Sequence, residues 1–178
     1  MQTDHQPAQA MQTDHQPAQA MQTDIALRAS RITVSVVRED SIDGPAMKDP
    51  SNIVKFWHSV IATQPDHEPD KENLVVVLID VRLHPYAWNR VSLGSLTEAT
   101  AHPREIFRPV IAAAAHSFVM LHNHPSGDPA PSAADRAVTR RIADAAHLLQ
   151  IRLLDHLIIG NAADGDDGYF SFAECGMI

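Results

Sequence analysis

Apolar residues fall along this chain in two rhythms. Short unbroken runs, such as Leu74–Ile79 and Ser117-Phe118-Val119-Met120-Leu121-His122, have the length and bulk of buried strands. Elsewhere apolar positions recur every three or four residues, the helical period. From Arg31 onward the pattern predicts strand Ile32–Val37, an acidic turn, helix Asp49–Ala62 and a polar, proline-bearing loop through Asp70. Strand Leu74–Ile79 follows, then strand Tyr86–Leu93 across a turn at His84-Pro85, helix Pro103–Ala115 and strand Ser117–His122. Helix Ser132–Leu149, strand Ile151–Ile159, loop Asn161–Gly168 and strand Tyr169–Phe172 complete the order. Strands alternating with helices predict an α/β fold, a three-layer α/β/α sandwich.

One boundary between these elements carries chemistry. Side chains two apart on a strand point the same way, so His122 and His124 project together from the end of the strand 117–122. Pro125-Ser126-Gly127-Asp128-Pro129 is a turn or loop. Pro131-Ser132-Ala133-Ala134-Asp135 then starts a helix, with Ser132 as N-cap and Asp135 at the third helical position. The helix has an apolar stripe of Val138, Ile142, Ala145, Ala146 and Leu149, and Asp135 lies three residues ahead of Val138 on the same face. A carboxylate at the head of a core-facing stripe needs a partner. A cation shared with two histidines supplies one, which makes His122, His124 and Asp135 candidate metal ligands. Three protein ligands leave a fourth position for water, the arrangement of catalytic rather than structural zinc. Ser132 is then placed to stabilise an oxyanion formed by attack of that water, and a general base is expected nearby.

Plainer readings of the same residues weigh against this one. Eleven histidines in 178 residues make a His-x-His pair common by chance, and Ser-x-x-Asp is an ordinary capping box. Only the joint spacing, with the stripe, singles the segment out. The triplet His122-Asn123-His124 superficially matches an HNH nuclease, but that site spreads its ligands over a ββα unit, whereas here the triplet runs straight into Pro-Ser-Gly. The segment Ala163–Glu174 mimics a calcium loop, yet its first two ligand positions would be Ala163 and Gly165, which excludes an EF-hand. Asp155-His156 offers two groups that could orient a ligand. On a strand they face opposite ways, so at most one does so, and a purely structural pair is an equal reading. Arg136, Arg140 and Arg141 on the motif helix read first as a solvated face.

The segment LHNHPSGDPAPSAAD, residues 121–135, resembles the JAMM (MPN+) metallopeptidase motif in the form carried by the RadC family. The similarity covers roughly residues 70–178. It takes in Lys71–Asp80, Ser92–Leu96, His102–Phe107, Leu153–Gly160 and Tyr169–Glu174. The resemblance implies a JAB/MPN fold similar to cytidine deaminases, a bound zinc ion, and cleavage of a peptide or isopeptide bond in a protein or peptide substrate. It also implies the base. The family places its catalytic glutamate just before the first central strand, where Glu72 stands. The residues alone leave that role open among Glu39, Glu68, Glu72, Glu98, Glu105 and Glu174, although the dipole of a helix beginning near Pro103 accounts for Glu105. The family name carries an alternative, a DNA repair or recombination accessory without proteolysis. Many RadC-like proteins have an N-terminal helix-hairpin-helix region. No glycine-centred hairpin precedes residue 70, so the chain reads as the catalytic half with a different lead-in. A third reading, a metal-stabilised binding module, has no need of a base.

Composition narrows these choices. The net charge of −8 argues against non-specific nucleic-acid binding, so a DNA role rests on the family name alone. The single cysteine, Cys175, rules out an internal disulfide and suits a reducing, cytoplasmic setting. No stretch is apolar for the roughly 18 residues a membrane span needs, and no basic-then-apolar leader is present. The length suits one domain. The decamer MQTDHQPAQA occurs twice and is followed by MQTD. Gln, Pro, Ala and Asp have little to bury, which predicts disorder over residues 1–24. Residues 25–70 then form a strand–helix lead-in and 71–178 the JAMM-like domain. Each copy opens on Met, so Met1, Met11 and Met21 are all candidate starts. A chain starting at Met21 should keep the melting temperature and metal content of the full chain. A large loss of either would show that the repeat packs on the domain.

Overall fold

The computed structural model describes residues 44–94, 101–161 and 168–178. The expected strand Ile32–Val37, the repeat and most of the loop Asn161–Gly168 lie outside them. Among the described residues, five strands form one sheet: β1 (Asn73–Ile79), β2 (Pro85–Leu93), β3 (Ser117–Asn123), β4 (Arg152–Ile159) and β5 (Tyr169–Ser171). Their spatial order is β2-β1-β3-β4-β5. β1 runs antiparallel to both β2 and β3, β3 and β4 are parallel, and β5 returns antiparallel to β4.

Every residue of β1 and β3 is buried, which explains their unbroken apolar runs. Alternate residues serve two different cores. Leu74, Val76 and Leu78 of β1 and Phe118 and Met120 of β3 pack under α2 (Pro103–Ala112) and α3 (Ala133–Leu149). Val75, Val77, Ile79, Val119 and Leu121 face the other way. They meet Ile53 and Phe56 of α1 (Pro50–Phe56), with Trp57 and Ile61 of the π turn that continues it. Helices therefore cover both faces, giving the expected three layers.

Local chemistry sets the helix ends. Asp49 caps α1 by accepting from the Asn52 amide, with Pro50 in the first turn. Beyond Phe56 the expected helix continues as the π turn Trp57–Ile61, which closes with the Ala62 amide on the Trp57 carbonyl. The His102 ring caps α2. That helix stops at Ala112, short of the expected Ala115, because Ala114 takes a left-handed conformation (φ 51°). Gln150, also left-handed, ends α3. Among the described residues no helix is long and apolar enough to cross a membrane.

Because β3 and β4 are parallel, α3 must carry the chain back across the sheet. The first turn of α3 therefore lies at the same end of the sheet as the last residues of β3. The loop between them is sewn to the end of β4. The His124 amide donates to the Ile159 carbonyl at 2.9 Å, and the Asn161 amide to the Gly127 carbonyl at 2.8 Å. Gly160 makes this approach possible, since a methyl there would overlap the Gly127 carbonyl oxygen and the Pro129 ring. Two backbones meet, so no side chain can rotate aside. Gly160→Ala should therefore cost about 1–3 kcal/mol in urea unfolding, and unchanged stability would show that the loop floats free of β4.

Candidate metal centre

His122, near the end of β3, is fully buried on the face covered by α3. His124 follows just beyond the strand. Asp135 stands in the first turn of α3, 2% exposed. The His122 Nε2 lies 3.2 Å from the His124 Nε2 and 3.4 Å from the Asp135 Oδ1. The His124 Nε2 is 3.5 Å from the Asp135 Oδ2. The three side chains can each offer one atom within 4.8 Å of the others, a spacing that could hold a metal ion.

The hydrogen bonds behind these atoms test whether a cation fits. The His124 Nδ1 sits 2.7 Å from the Asp128 carbonyl. A carbonyl only accepts, so Nδ1 carries a proton, and Nε2 is the ring atom left to offer a lone pair to a cation. Asp135 cannot supply a proton either. Its Oδ2 accepts from both the hydroxyl and the backbone amide of Ser132, which favours the ionised form. Electron-rich atoms thus converge, and a cation between them removes the repulsion.

Ser132 is the N-cap, and the capping box is complete. Its Oγ and its backbone amide both donate to the Asp135 Oδ2, at 2.6 and 2.7 Å, while the Asp135 amide donates back to the Oγ at 3.1 Å. The carboxylate is thereby aimed: one oxygen closes the cap and the other faces His122. The cap and the metal-ligand reading do not compete, because a carboxylate has lone pairs enough for both.

Glu72 comes from the opposite direction, one residue before β1. With His124, Pro125, Ser126, Ser132 and Asp135 it lines an open cleft of about 300 Å³. Asn123, which the sequence reading passed over, holds it there. The Asn123 Oδ1 accepts from the backbone amide of Asn73 at 2.8 Å, and its Nδ2 donates to the Lys71 carbonyl at 3.0 Å. Both neighbours of Glu72 are thus tied to the strand that carries the histidines. The signal was available: between two histidines facing one way, the middle residue of a strand faces the other.

Four of the five residues singled out from the sequence (Glu72, His124, Ser132 and Asp135) therefore line one cleft, and His122 is buried behind it with its Nε2 3.2 Å from that of His124. The Asp155-His156 pair divides. His156 points at His122, with its Nε2 2.9 Å from the His122 Nδ1. Asp155 faces away, accepting from the Ser171 Oγ at 2.6 Å and the Ala173 amide at 3.0 Å, and so anchors the C-terminal segment. Burial raises its pKa. Arg136 and Arg140 are exposed on α3.

A protein-family model described as a RadC-like JAB domain matches residues 47–177. The chain belongs to this family. The match takes in α1 as well as the sheet. Curated relatives carry the name UPF0758 protein. One from Trichlorobacter lovleyi is 39% identical over 129 residues, 72% of this chain and 52% of its own. One from Rubrobacter xylanophilus is 44% identical over 134 residues, 75% of this chain and 54% of its own. A third, from Desulfitobacterium hafniense, is 37% identical over 153 residues, 86% of this chain and 62% of its own. The chain thus spans about half to three-fifths of the length of these relatives.

Within this RadC-like domain, burial lowers the pKa of His122 and takes that of His156 well below the usual 6.5. The unfolded chain therefore binds more protons than the folded one below that value, and stability is lost as the pH falls. Asp135 acts in the same sense but only in the carboxylate range. The melting temperature of metal-free protein should accordingly fall between about pH 7 and about pH 5, and less steeply in His156→Gln. A flat profile would contradict the burial of both rings.

Proposed function

We propose that the chain is a zinc-dependent hydrolase of the JAMM (MPN+) type, cleaving a peptide or isopeptide bond in a protein or peptide substrate. The observation that supports this most is Glu72 lining the same cleft as His124 and Asp135, two members of the His, His, Asp cluster. A binding module would need the cluster but not the base. Zinc held by His122, His124 and Asp135 would supply Lewis acidity toward the amide carbonyl and lower the pKa of the attacking water. Glu72 takes the proton of that water and delivers it to the leaving amine. Asn123 fixes the direction from which Glu72 acts. The Ser132 hydroxyl turns from Asp135 toward the developing oxyanion, while the Ser132 backbone amide keeps its hold on the carboxylate. The lone exposed Cys175 suits a reducing compartment such as the cytoplasm.

Purified protein should carry about one zinc per chain, and His124→Ala should carry little. Undiminished zinc in that variant, or wild type that refuses added zinc, would overturn the ligand assignment. Glu72→Gln should keep the metal yet lose at least ~10²-fold in hydrolysis, because Gln is nearly isosteric but cannot accept the proton. A peptide-library or isopeptide-reporter screen with zinc-loaded protein supplies the substrate for that test. No cleavage across the screen, together with DNA binding at physiological salt, would favour an accessory role instead.

A further inference from the structure

Behind His122 runs a chain of buried hydrogen bonds that ends on the backbone of another candidate ligand. The His122 Nδ1 lies 2.9 Å from the His156 Nε2, and the His156 Nδ1 lies 2.6 Å from the Thr139 Oγ1. The Thr139 Oγ1 lies 2.6 Å from the carbonyl oxygen of Asp135, one helical turn earlier. His122 and His156 are fully buried, and Thr139 is 1% exposed. Phe172 stacks flat on the His156 ring, centroids 4.9 Å apart and planes within 7°, and keeps it in register.

Only one arrangement of protons satisfies every link. The Asp135 carbonyl cannot donate, so the Thr139 hydroxyl must. With its one proton committed, the Thr139 oxygen accepts from the His156 Nδ1. The neutral His156 ring then has no proton on Nε2 and must accept from the His122 Nδ1. The His122 Nε2 is left as a lone pair facing His124 and Asp135. The opposite polarity would place a proton on the His122 Nε2, where the His124 Nε2 lies 3.2 Å and the nearest carboxylate oxygen 3.4 Å away. It would also leave the Thr139 and Asp135 oxygens 2.6 Å apart with no proton between them.

We propose that Thr139 and His156 are positioning residues that set the tautomer of His122, with the Asp135 carbonyl fixing the direction of the relay. This rests on reading His122 as a metal ligand. Asp135 would then act on the metal twice, through its carboxylate and, by way of three hydrogen bonds, through the nitrogen of another ligand. Groups that hydrogen-bond the far nitrogen of a metal-binding histidine typically govern metal affinity by 10- to 100-fold.

Nitrogen-detected NMR of the histidine rings in the full-length, metal-free protein reads the tautomers directly. The expected result is a proton on Nδ1 and a bare Nε2 in both His122 and His156. A proton on the His122 Nε2 would overturn the relay. In Thr139→Val, which keeps the shape and removes the acceptor, the protons of both rings should shift to Nε2, and zinc affinity, measured by chelator competition, should fall roughly 10- to 100-fold. Thr139→Ser should restore the wild-type spectrum and affinity. A Thr139→Val variant with wild-type tautomers and affinity would overturn the proposal. Should that variant fail to fold, the wild-type and Thr139→Ser spectra still decide. A wild-type protein with the expected tautomers that takes up no zinc would sink the metal reading and leave the proton order standing.

Discussion

In the proposed relay, the site depends on keeping protons out of one small volume. His122, His124 and Asp135 point their lone pairs at the same place, and each has its remaining hydrogen-bonding capacity engaged elsewhere. For His124 the partner is the Asp128 carbonyl, and for Asp135 it is the Ser132 cap. Carbonyls are the natural agents of this arrangement, because they accept and never donate. A buried polar atom left unpaired costs about 1–3 kcal/mol, so reversing any one of these bonds is opposed by the fold itself. The backbone, rather than the side chains alone, decides which ring nitrogens are bare.

The same few residues of β3 serve two purposes at once. Alternation sends His122 toward α3 and Asn123 the other way, toward the segment that holds Glu72. The candidate ligand and the proposed base are thus registered to one strand. A slip of one residue in the pairing of β1 with β3 would turn His122 to the wrong face and break both Asn123 clamps. The buried apolar neighbours on both faces of these strands oppose such a slip.

Much of this was legible in the sequence because it is local. Two histidines at strand spacing, a capping box and an apolar stripe in phase with Asp135 all lie within one strand–loop–helix unit, where periodicity suffices. Helix ends were less legible: the left-handed Ala114 and the π turn after Phe56 reflect tertiary packing rather than a Gly or Pro signal. Glu72 needed the family resemblance, since nothing in a run of residues says which distant strand end will face the metal ligands. Thr139 was hidden for the same reason, and His156 was legible only as one of a pair that could orient a ligand. Their meeting requires that α3 and β4 lie side by side, and a threonine within a helix usually means nothing more than a bond to its own backbone.

The parallel pairing of β3 and β4 has a consequence for how the site is assembled in time. His122 and Asp135 are 13 residues apart, so closing the loop between them carries a small entropic penalty. Glu72 lies 50 residues before His122 and reaches the cleft only when β1 pairs with β3. Contacts close in sequence generally form before distant ones. On the proposed function, a chain emerging into its fold would therefore own a place for a cation before it owned a base, and would become competent for hydrolysis only when the centre of the sheet closed.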